Sequence, residues 1–141
     1  MATEDKYEGF SKDERAAMRE RARELKAEAK HADATQDVLE KIALLDEPDR
    51  SKALRIHSIV AEYAPSLTPK AWYGMPAYAR DGKTVVFFQA AGKFGTRYPS
   101  LGFSDLAQLD EGDLWPVAYA VNKLGPAEEK AIAELIARAA G

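Results

Sequence analysis

Apolar positions along the chain change period several times, and each change marks an element. Over residues 11–30 the larger or small apolar residues fall at Met18, Ala22, Leu25 and Ala29, a thin stripe at helical spacing. Ser11, with Glu14 three positions on, has the form of a capping box, so a helix is predicted from Ser11 to about Lys30. A second helix is predicted after Thr35, with Val38, Leu39, Ile42 and Leu45 on one face. Asp46-Glu47-Pro48-Asp49 breaks it and opens a third, in which Ile56, Ile59, Val60 and Tyr63 form the buried stripe. Pro65 ends that helix.

From Ala71 the pattern is no longer helical. Asp81-Gly82 is a two-residue hairpin signal joining Ala71–Arg80 to Lys83–Ala91, since both central positions of the favoured turn need positive φ. Val85-Val86-Phe87-Phe88 is continuously apolar, as in a strand covered on both faces. Pro76 cannot donate to a strand ladder and is predicted at an edge or a bulge, where it would re-aim Tyr73 or Tyr78. Gly92-Lys93 marks a turn before a further strand at Phe94–Tyr98, and Leu101-Gly102-Phe103 follows Pro99-Ser100. Ser104 opens a short helix to Leu109. Trp115, Val117, Tyr119 and Val121 alternate with smaller residues and favour a strand over a competing helix from Leu114. Gly125-Pro126, then Glu128 and Glu129, start a last helix with Ile132, Leu135, Ile136 and Ala139 buried. The order predicts an α+β fold: an antiparallel sheet of four to five strands with helices on one face, and a peripheral N-terminal helix. The division expected is an extension over 1–35 and a domain over 36–141.

Composition mostly excludes. The 141 residues hold no cysteine, so disulfides, thiolate metal sites and thiol nucleophiles are out. No apolar run approaches a membrane span, and the amino terminus lacks the pattern of a secretory signal, so a cytoplasmic location without membrane contact is expected. Twenty Lys+Arg against 23 Asp+Glu give a net charge of −3, which argues against nucleic-acid binding. Charge is uneven, however. Residues 71–104 carry Arg80, Lys83, Lys93 and Arg97 against Asp81 alone, and residues 105–141 carry three cations against seven acids. The nearly balanced 12–30 segment suggests a solvated arm, or one that meets a protein partner or a second copy.

Two kinds of binding chemistry follow. Trp72, Tyr73, Met75, Tyr78, Phe88 and Tyr98, with Lys83, Lys93 and Arg97, could line a pocket for a small anion, or could simply be core with cations outside. Asp46, Glu47 and Asp49, and then Asp105 with Asp110, Glu111 and Asp113, are the clusters of hard oxygen ligands suited to weak metal binding; Asp110, Glu111 and Asp113 form the candidate metal set. Equally, these acids could start helices and aid solubility. Catalysis has less support. His31 and His57 are the only histidines, and no phosphate loop, HExxH or GxSxG pattern occurs, so an enzyme is the third reading.

Trp72-Tyr73-Gly74-Met75-Pro76-Ala77-Tyr78, followed by Asp81-Gly82-Lys83, the apolar strand Val85–Phe88 and the Gly92-Lys93-Phe94 turn, resembles the YdhG-like domain family over residues 36–140. Most of that family is of unknown function. Some members are described as frataxin-like iron chaperones, so the resemblance implies a binding or carrier domain with iron as its possible cargo. A small-anion or protein-interaction module without metal is the alternative.

Overall fold

The computed structural model describes residues 9–141. Two units divide between Asp33 and Ala34. Helix α1 spans Lys12–Ala43, 32 residues, where the sequence suggested a break near Lys30. The physical reason is plain: the intervening Lys30–Thr35 contains neither proline nor glycine, and nothing in it stops a helix. Its start is as expected, with the Ser11 hydroxyl accepting from the Glu14 amide at 3.0 Å. Within the first unit the helix is laced by ion pairs, Arg23–Glu20 at 2.5 Å and Arg21–Glu24 at 3.3 Å, and Leu25 is half exposed.

In the second unit, Val38 and Ile42 of α1 are fully buried. Helix α2, Asp49–Tyr63, begins after Pro48; the Glu47 carboxylate accepts from the Ser51 amide at 2.9 Å and from its hydroxyl, which holds that carboxyl below the usual carboxylate range. Ala53, Ile56, Ile59 and Val60 face the core.

Five strands follow in a plain meander: β1 Thr68–Trp72, β2 Met75–Arg80, β3 Lys83–Gln89, β4 Ser100–Phe103 and β5 Ala118–Ala120, all antiparallel and paired in sequence order. The single predicted strand Ala71–Arg80 is thus two arms of a hairpin. Tyr73 and Gly74, at φ 49° and 76°, make its two-residue turn, and Asp81-Gly82, at 52° and 78°, makes the next. A second correction concerns Phe94–Tyr98, which is not a strand. Ala91–Phe94 is a single helical turn, α3, closed by Gly95 at φ 66°. Ser104 opens a turn and no helix: its hydroxyl accepts from Leu106 at 3.2 Å. The strand predicted from Trp115 is confined to three residues. Pro76 lies in an interior strand, yet ahead of the first β2–β3 pair, Ala77↔Phe87, so its missing N–H costs no ladder bond. The bulge expected at Pro76 sits instead between Tyr78 and Ala79, opposite Val85. It turns Val85 and Val86 both into the core, which is why that run is apolar without alternation.

Helix α4, Pro126–Ala140, closes the domain; the Gly125 amide donates to Glu128 at 3.1 Å, and Ile136 and Ala139 are fully buried. Tyr78, Val86, Phe88, Leu101 and Phe103 share one core with α1, α2 and α4, so all three helices lie on one face of the sheet. Among the described residues no helix is long and apolar enough to cross a membrane.

Candidate functional site

Residues opposite one another in an antiparallel ladder share a face. The registers Lys70↔Ala77↔Phe87↔Gly102↔Ala118 and Trp72↔Met75 therefore place Lys70, Trp72, Met75, Ala77, Phe87, Gly102 and Ala118 on the face away from the helices. The core cluster includes neither Trp72 nor Phe87. Both are partly exposed, and their rings meet at 5.1 Å with a tilt of 51°. The Phe87 ring covers Gly102: a Cβ there would collide with Cζ, Cε1 and Cε2 at the outer end of the ring, so glycine is required for space and not for conformation. The result is an aromatic platform of two tilted rings on an open sheet face.

The hairpin tip extends this platform. The Tyr73 ring packs edge-on against Trp72 at 5.0 Å and is 78% exposed, offering its outer side to solvent. Lys93 Nζ donates to the Gly74 carbonyl at 2.9 Å and sits 5.8 Å from the Phe94 ring. Gly92, just before it, donates its amide to the buried Asp49 carboxylate at 2.9 Å. A chain of contacts thus runs from the start of α2 through Gly92 and Lys93 to the tip that carries Trp72 and Tyr73. Lys70 crosses the open face to the Gly82 carbonyl at 3.1 Å. No Asp or Glu occupies this face on any of the five strands.

Of the residues singled out from sequence, Trp72, Tyr73, Met75 and Lys93 come together here. Lys83 does not: it pairs with Arg80 at the far end of the β2–β3 hairpin, roughly 17 Å of strand away. Tyr98 is partly exposed on the connection after α3, where its carbonyl accepts from Thr96. Tyr78 points into the core, 1% exposed, with its hydroxyl 2.9 Å from His57 Nδ1. Phe88 is likewise core, and the ring that belongs to the platform is its neighbour Phe87. An unbroken apolar run hid the alternation; the signal that could have found Phe87 is Gly102, a glycine inside a short apolar strand.

Burial pushes the Tyr78 phenol above its ordinary range and the His57 imidazole below its own, so the pair is neutral. Because folding disfavours the imidazolium, the unfolded chain takes up the proton first. Stability is therefore level above the unfolded value of about 6.5 and falls as the pH drops below it. Urea titrations between pH 7 and 5 should show this decline, and His57→Gln should flatten it.

The candidate metal set is dispersed in character. Asp110 borders a hollow of about 330 Å³ with Asp105 and Trp115, whereas Glu111 is directed to Arg138 at 3.9 Å. Among the described residues no group of three or more His, Asp or Glu side chains is arranged to hold a metal ion. Asp46, Glu47 and Asp49 are likewise separated by function, with Glu47 on Ser51 and Asp49 on Gly92.

The fold and this face together define a class: an α+β domain with a five-stranded meander, helices on one side and an aromatic platform on the other. Comparisons with family models, with curated proteins and with solved structures give no match to the chain.

Proposed function

We propose that this protein is a binding module whose working surface is the open sheet face, and that its ligand carries a flat ring and a negative charge. One observation carries the reading: Trp72 and Phe87 are held together outside the core, on a strand face that carries Lys70 and no acids, with Lys93 clamped to the hairpin tip beside it. Solvent-facing aromatic rings gain from stacking on a planar partner, and Lys70 and Lys93 supply the charge that an anion needs. The YdhG-like resemblance agrees with a binding or carrier role. It adds iron as a cargo, for which the platform offers no carboxylate ligands.

Trp72 is the reporter. In a Trp115→Phe background, ring-bearing anions such as nucleoside monophosphates and aromatic carboxylates should quench its emission saturably, while inorganic phosphate and citrate should not. Phe87→Ala should weaken that binding about tenfold or more. Quenching that is equal for ringless anions, or absent throughout the panel, would overturn the proposal. A saturable ferrous-iron isotherm under anaerobic conditions, lost when Asp110, Glu111 and Asp113 become Asn, Gln and Asn, would favour the carrier of iron instead.

A further inference from the structure

The two edges of the sheet are built differently. Strand β1 carries Pro69 and Lys70, both of which discourage another strand from pairing. Strand β5, Ala118-Tyr119-Ala120, carries neither proline nor charge. Its hydrogen-bond phase is fixed by two bonds to the β4 side: the Phe103 amide donates to the Val117 carbonyl, and the Val121 amide to the Pro99 carbonyl, each at 2.8 Å. In an antiparallel ladder the groups of alternate residues point to opposite sides. Val117, Tyr119 and Val121 therefore face β4, and the amides and carbonyls of Ala118 and Ala120 face outward, where both residues are exposed.

These four outward groups are self-complementary. When a second β5 runs antiparallel with the two Tyr119 residues opposite each other, Ala118 of one chain meets Ala120 of the other. Both residues then exchange an amide and a carbonyl, and the two-fold axis repeats the exchange. Four main-chain hydrogen bonds form with no like charges opposed. The next register pair, Pro116 with Asn122, cannot exchange both bonds, because Pro116 has no amide, and the Asn122 carbonyl accepts from Lys52 at 2.9 Å. Apolar side chains flank the edge: Val117 is 50% and Leu114 93% exposed, although the segment is otherwise rich in acids. We propose that β5 is a dimer edge, at which a second copy of this chain pairs antiparallel through residues 118–120 to join two five-stranded sheets into one of ten. The pairing is isologous, so it consumes both open edges and stops at two chains. The interface is small, and the association is accordingly weak and reversible.

Sedimentation velocity over a series reaching millimolar chain should show a monomer passing to a dimer and to nothing larger. Ala120→Pro removes one outward amide and none of the bonds to β4, so its circular dichroism should match the parent while the dimer is lost. Ala118→Lys combined with Ala120→Lys sets lysines against each other across the axis and should do the same. Hydrogen exchange of the unaltered protein gives a readout independent of any variant. The Ala118 and Ala120 amides should become protected as concentration rises, whereas Tyr119 and Val121 should be protected throughout. A monomer at every concentration would overturn the proposal. So would exchange at Ala118 and Ala120 that ignores concentration, or a dimer that survives both variants and dissolves with Leu25→Asp in the N-terminal helix.

Discussion

Asp49→Ala should lower stability by about 2–4 kcal/mol and weaken ligand binding at a site its side chain does not touch. Asp49 is 6% exposed, and its carboxylate accepts the Gly92 amide at 2.9 Å. A hydrogen bond to a charged group contributes about 1.5–3 kcal/mol, and an acid in the first turn of a helix adds about 0.3–1 kcal/mol. The same bond fixes the start of α3, from which Lys93 reaches the Gly74 carbonyl. Without it, Lys93 no longer has a fixed origin, and the Tyr73-Gly74 turn loses its clamp. Asp49→Asn keeps an acceptor in place and should recover most of the binding but only part of the stability. Thermal melts paired with Trp72 titrations check both statements. If Asp49→Ala melts early yet binds as well as the parent, the link from α2 to the hairpin tip is not a positioning device.

Gly102→Ala is the second substitution expected to have a large effect, at about 1–3 kcal/mol of lost stability. The new Cβ would collide with the outer end of the Phe87 ring, which must swing away and take its contact with Trp72 with it. The cost belongs to the pair: in a Phe87→Ala background the same glycine substitution should cost less than about 0.5 kcal/mol, since the space is then empty. A double-mutant cycle from urea unfolding reads this directly. Equal costs in both backgrounds would show that Gly102 is needed for something other than the ring above it.

Much of this fold is legible in the sequence where a single local rule decides. Ser11 caps a helix, Asp81-Gly82 turns a hairpin, and Ile132, Ile136 and Ala139 bury a helix face. Legibility fails where a tertiary partner decides. Tyr73 adopts positive φ at a position where asparagine, aspartate or glycine is usual, held by Lys93 on Gly74 and by its own ring on Trp72. The α1 helix continues through Lys30–Thr35 because nothing interrupts it, and the weak apolar stripe there misleads. The bulge at Tyr78/Ala79 shifts the phase of β3, so Val85, Val86 and Phe88 face the helices and only Phe87 faces out. The candidate site divides accordingly. Trp72, Tyr73, Met75 and Lys93 are adjacent in the fold as they are distinctive in the sequence, while Tyr78, opposite Val86 in the ladder, faces the helices, where its hydroxyl meets His57.

The meander has a further consequence for how the chain acquires its shape. Each strand pairs only with the strand before or after it, and two of the four junctions are two-residue turns. Few distant segments must find one another before the sheet exists, so the entropic cost of closing large loops is small. Growth from the β2–β3 hairpin outward would add β5 last, because β4 must be in place before it can pair.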